Sequence, residues 1–126
     1  MRDTMSSLYT GVSGRKPYWL FGPTFDTEQE MKNAITKNPS HSFKFLAWID
    51  RVLDEGKFAA AAEYDPELDL YRFPKMGGAP VSVYCQITET GGQVDVHVIF
   101  VNCGGRQSAK QRNQIAVTRW KQYLDP

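Results

Sequence analysis

The chain has few of the residues that build metal sites or disulfide frameworks: 126 residues include two cysteines and two histidines. Neither His41 nor His97 has a suitable ligand three or four residues away, so no metal site is expected, nor any other cofactor. Cys85 falls at an inward position of an alternating segment and Cys103 just past the end of the next, beyond bonding reach, so both read as reduced. Glycines occur as isolated pairs, Gly77-Gly78, Gly91-Gly92 and Gly104-Gly105, which excludes phosphate-loop and dinucleotide patterns. No apolar run approaches the ~20 residues of a membrane span. The N-terminus, MRDTMSSLYTGVSGRK, lacks the apolar stretch of a signal peptide. Two unpaired cysteines without a signal point to the cytoplasm.

Hydrophobic residues at 41% and aromatics at 13% describe a folded protein rather than a disordered one. The length fits a single α+β domain over 17–126 behind a flexible N-terminus, 1–16. The net charge of +1 conceals an uneven distribution. Residues 25–70 carry five Lys/Arg against ten Asp/Glu, whereas 71–126 carry seven against three. A basic second half suits phosphates or an acidic partner, and equally suits a plain dipolar domain.

Local signals order the elements. Tyr18-Trp19-Leu20-Phe21, ended by Gly22-Pro23, reads as a strand. Thr27 and Glu30 have capping-box spacing for a helix running to about Lys37 and stopped by Asn38-Pro39. Phe45, Trp48, Ile49, Val52 and Leu53 form one apolar stripe of a second helix, capped by Ser42 and stopped by Gly56. Phe58 to Tyr64 reads as a short strand and Leu68 to Phe73 as another. Ser108 and Gln111 open a last helix to about Leu124, with Ala109, Ala116, Trp120 and Tyr123 near one face. The order β-α-α-β-β-β-β-α predicts two N-terminal helices and a C-terminal helix on one face of a mostly antiparallel sheet of four to five strands.

VSVYCQI (81–87) and VDVHVIF (94–100) flank a glycine turn and predict a hairpin. Pairing Ile87 with Val94 puts Cys85 opposite Val96, Val83 opposite Val98 and Val81 opposite Phe100, an unbroken apolar face. The same register sets Tyr84 opposite His97 and Gln86 opposite Asp95 on the polar face. Beside that face stand Arg72, at the end of the preceding strand, and Lys75, in the loop after it. Arg106, Lys110 and Arg112 lie around the start of the last helix, whose free N–H groups favour an anion. Such a group has the parts for RNA cleavage by the RNA's own 2′-hydroxyl. His97 or Tyr84 would move protons, and Arg72 or Arg106 would stabilise the phosphorane; Lys75, Lys110 and Arg112 would bind RNA. A Cys103–His97 nucleophile pair is discounted, because six strand residues span roughly 20 Å. Ordinary surface pairing on a solvated sheet face explains the same residues without any activity.

Leu68–Leu124 resembles the RelE/ParE/HigB-like toxins. LDLYRF is similar to that family's arginine-bearing strand, with Arg72 on the arginine. VSVYCQITETGGQVDVHVIFV is similar to its glycine-turned hairpin and RQSAKQRNQIAVTRWKQYL to its closing helix. The chain departs from the pattern where Tyr84 replaces a hairpin arginine and Cys103-Gly104-Gly105-Arg106 replaces paired lysines. The resemblance implies a metal-independent endoribonuclease acting on mRNA, free or at the ribosome, and neutralised by a small protein inhibitor. The alternative is a non-enzymatic inhibitor that sequesters a protein. Glu63, Asp65, Glu67 and Asp69 favour it, because they surround a strand placed for an exposed edge.

Overall fold

A computed structural model describes residues 16–56, 63–73, 80–104 and 107–125. Among these, seven strands and three helices run β1 (Tyr18–Trp19), β2 (Phe21–Gly22), β3 (Phe25–Asp26), α1 (Thr27–Lys37), α2 (Pro39–Glu55), β4 (Glu63–Asp65), β5 (Leu70–Phe73), β6 (Val81–Thr90), β7 (Gln93–Cys103) and α3 (Ala109–Leu124). The main sheet has the order β1-β7-β6-β5-β4, antiparallel except where β1 lies parallel to β7; β2 and β3 form a separate small hairpin. The α+β class and the order of helices and strands agree with the sequence reading.

Helix starts differ from the expected caps. Asp26, not Thr27, caps α1, its carboxylate accepting the Gln29 N–H. Thr27 is buried and its hydroxyl donates to the Leu20 carbonyl, while Glu30 reaches away to other partners. α2 begins at Pro39, one turn before Ser42, because proline suits the first helical position and needs no N–H partner there. Ser42 lies inside the helix and donates back to the Asn38 carbonyl. The stripe Phe45, Trp48, Ile49, Val52 and Leu53 is buried as its spacing requires, and α3 carries the full Ser108–Gln111 capping box. Of the strand read over Phe58 to Tyr64, its end forms the start of β4; 57–62 fall outside the described residues.

The hairpin register is shifted from the expected one. Strand pairing continues to Thr90–Gln93, leaving a two-residue turn of Gly91 and Gly92 with φ of 58° and 83°. A turn with two positive φ values matches the strand twist, so the strands zip to it rather than closing a six-residue loop. Ile87 therefore faces Val96 and Gln86 faces His97, a shift that preserves the faces. A bulge then leaves Ile99 unpaired, and Tyr84 faces Phe100 rather than His97. Asp95 pairs with Thr88, not Gln86.

The bulge decides the layering. Val94, Val96, Val98 and Val101 face α1 and α2, together with Val81, Val83, Cys85 and Ile87. Ile99 and Phe100, consecutive residues, both turn to the other face, where they join Tyr84, Leu70, Leu20 and Ala116 in a second core. α3 covers that face. The expectation of helices on one side only is thus corrected to helices on both, because the bulge puts two adjacent large apolar side chains where alternation would put one.

Candidate functional site

Beneath α3, β5 and β6 set Arg72 directly across from Tyr84. Tyr84 is 1% exposed. Its hydroxyl donates to Asn113 Oδ1 on α3 at 2.7 Å and also meets the Arg72 guanidinium. On its other side Arg72 pairs with Glu63 of β4 at 3.3 Å. Burial opposes the charge on Arg72, but the Glu63 carboxylate and the tyrosine oxygen outweigh it, so the guanidinium is held more firmly protonated than usual. Glu63, Arg72, Tyr84 and Asn113 thus run from the sheet edge to the covering helix.

His97 lies on the same sheet face, one strand further along. Tyr18 of β1 pairs with it in register and stacks on its ring at 4.8 Å between centroids. Trp120 and Tyr123 of α3 close over it at 5.5 and 5.3 Å, and the Tyr123 hydroxyl oxygen lies 3.3 Å from Nε2. The imidazole is enclosed by three aromatic rings. Gln86, its partner across the strands, is buried and donates to the Asp69 carbonyl at 2.6 Å.

Of the residues read from sequence as a site, Arg72 and Tyr84 are in contact and His97 shares their face. Lys110 is exposed in the first turn of α3, while Arg112 is half-buried and donates to the Gln107 carbonyl. Lys75 and Arg106 lie outside the described residues. Sequence reading overlooked Asn113, Tyr18 and Arg119. Arg119 forms two bonds to Glu30, at 2.9 and 3.0 Å, donates to the Ile99 carbonyl, and lies over the rings of Phe25 and Phe100. Glu30 also accepts the Val101 N–H. The pair therefore serves two backbone groups of β7 beside the bulge, past the point where β1 ends. One signal was available: Arg119 follows Ala116 by three residues and so lies on the apolar side of α3.

The opposite strand ends are acidic. The register brings the β4–β5 turn alongside the upper part of β6, and the C-terminus of α2 approaches the hairpin tip across a cavity of about 570 Å³. Asp54, Glu55, Glu67, Asp69, Glu89 and Asp95 gather at this end. β4 is the outer strand there among the described residues, with Tyr64 45% exposed and packed on Tyr71 at 5.1 Å. The Tyr64 hydroxyl donates to Asp69, and that bond to a carboxylate raises its pKa. Tyr71 is raised as well, by burial first and then by Cys85, Asp69 and Glu89.

Comparison with protein-family models, curated proteins and solved structures found no match. The site therefore stands on its own geometry. Among the described residues, no helix is long and apolar enough to cross a membrane.

Proposed function

We propose that this chain is a non-enzymatic protein-binding factor of the cytoplasm, which engages a basic partner through its acidic end. The observation that carries this reading is the position of β4. Among the described residues, the strand bounded by Glu63 and Asp65 and followed by Glu67 and Asp69 is the outer strand of the sheet, in keeping with the alternative sequence reading. Negative charge at an edge repels nucleic-acid phosphate and attracts Lys- or Arg-rich protein surface. The burial of Tyr84 supports the same reading: its hydroxyl is spent on Asn113 and Arg72, and RNA cannot reach it while α3 is seated.

Metal-independent cleavage of mRNA is the second reading, in the manner of the toxin-like resemblance. It is favoured by the contact of Arg72 with Tyr84 and by His97 on the same face. It requires α3 to lift. Two measurements separate the readings. Purified chain is incubated with naked and translated RNA in EDTA, alongside His97→Ala and Arg72→Ala. Separately, tagged chain expressed in its own host is compared with the Glu55→Lys/Glu67→Lys variant. A partner retained by the original chain, released by salt and lost from the variant supports protein binding. RNA cleavage that both alanine variants abolish while remaining folded would replace it with the nuclease reading.

A further inference from the structure

We propose that β4 is a docking strand, which takes an extended basic segment of a partner protein as a sixth strand of the sheet. The inference rests on the protein-binding reading and adds to it the place and mode of attachment. An edge strand presents N–H and C=O groups away from its neighbour, and an added strand satisfies them while its alternate side chains give specificity.

The surroundings of β4 select one chemistry. Glu63 and Asp65 alternate with Tyr64, so they share one face of the sheet and Tyr64 lies on the other. Their partners in β5 agree: Glu63 and Asp65 sit opposite Arg72 and Leu70, whereas Tyr64 sits opposite Tyr71. Glu63 pairs with Arg72 through one oxygen, and Asp65 Oδ1 accepts the Glu67 and Leu68 N–H groups of the turn. A strand laid beside β4 therefore meets these partly engaged carboxylates on one face and a tyrosine pair on the other. The complementary segment alternates lysine or arginine with apolar residues. Arg72 offsets only part of the negative charge, because Glu67 and Asp69 follow at the turn. A second copy of this chain fits poorly, since two β4 edges would bring like charges together. Tyr64, exposed yet braced by Tyr71 and Asp69, is the rigid aromatic anchor of the surface.

The test uses an acetylated, amidated peptide of four Lys-Val repeats, the same peptide N-methylated at every residue, and the full chain. N-methylation keeps the charge and removes the backbone donors. Binding is followed by fluorescence anisotropy, and the contact is mapped by amide chemical shifts. Glu67→Lys, at an exposed turn position, serves as the charge variant, with its fold checked by circular dichroism. The expected result is that N-methylation weakens binding about tenfold or more, that Glu67→Lys weakens it several-fold, and that shifts concentrate on Glu63–Asp65. Equal binding of the two peptides, with both weakened by Glu67→Lys, would overturn strand addition while leaving a basic partner at the acidic end. Failure of both peptides to bind would overturn the mode and the underlying reading together. Shifts centred on the hairpin tip, or a dimer joined through β4 in sedimentation velocity, would also overturn the docking strand.

Discussion

Cys85 is fully buried between β5 and β7, and burial pushes its thiol pKa far above the ordinary 9.0. In the unfolded chain the thiol loses its proton near that ordinary value; in the folded chain it keeps it. Above pH 9 the folded state therefore binds more protons than the unfolded state, and stability falls as pH rises. Below that value the contribution is fully present. Denaturant titrations at successive alkaline pH values should show a decline approaching about 1.4 kcal/mol per pH unit from this one group. Cys85→Ala should flatten that decline, leaving a weaker slope from Tyr71, whose pKa is raised in the same sense. Glu30 and Arg119 make the second argument at this scale. Their side chains are 23% and 13% exposed, and they serve the Val101 N–H and Ile99 carbonyl as well as each other. Arg119→Met should cost about 2–3 kcal/mol, below the loss for a fully enclosed pair, because solvent still reaches both groups. A double-mutant cycle with Glu30→Gln should return a coupling of at least about 1 kcal/mol. Additive losses would mean the two residues act separately.

At the level of elements, α3 is the least embedded of the main pieces. Only Ala116 of its sixteen residues is fully buried, whereas α2 buries seven of seventeen. Its start depends on the Ser108 hydroxyl accepting the Gln111 N–H, so Ser108→Ala should destabilise the chain by about 1 kcal/mol. The loss should appear in hydrogen exchange of α3 before it appears in the strands. The hairpin tip offers a contrast between two glycines. Gly92 has φ of 83° with open space where a side chain would go, so Gly92→Ala should cost about 1 kcal/mol through backbone conformation alone. Gly56 has φ of 97° with ψ of −178°, a region essentially closed to residues with a Cβ, whereas the Glu89 carboxylate that a Cβ would meet is a side-chain end able to move aside. Gly56→Ala should therefore cost more than Gly92→Ala, and chemical denaturation of the two variants side by side reads the difference. The element boundaries were legible where local chemistry dominates, as in the α2 stripe and the Ser108 box. They were misread at Thr27 and Ser42, whose hydroxyls found carbonyl acceptors rather than helix N–H groups.

For the molecule as a whole, the sheet separates two cores of unequal size. The larger is closed by α1 and α2, the smaller by α3. Native-state hydrogen exchange should therefore show α3 opening in a partial unfolding step below the global free energy, with β6 and β7 protected to the global limit. Equal protection of α3 and β7 would mean that the Arg119–Glu30 pair and the ring contacts around His97 bind the helix into one cooperative unit. The same layering bears on the candidate sites. Arg72, Tyr84 and His97 were identified from strand alternation and do share a face, yet Tyr84 and His97 are not cross-strand partners. Alternation reports which side a residue faces, but not what later covers that side.

The helical stripe of α2, the hairpin with its glycine turn, the capping box of α3 and the acidity around β4 follow from residue spacing alone, because each depends on groups a few positions apart. The bulge at Ile99, the docking of α3 over Tyr84 and the bond of Arg119 to Glu30 depend on partners far apart in the chain. One unpaired residue turns Phe100 to the second face and makes room for a second core. That change alters no local pattern in the sequence, and only the packing of both sheet faces at once determines it.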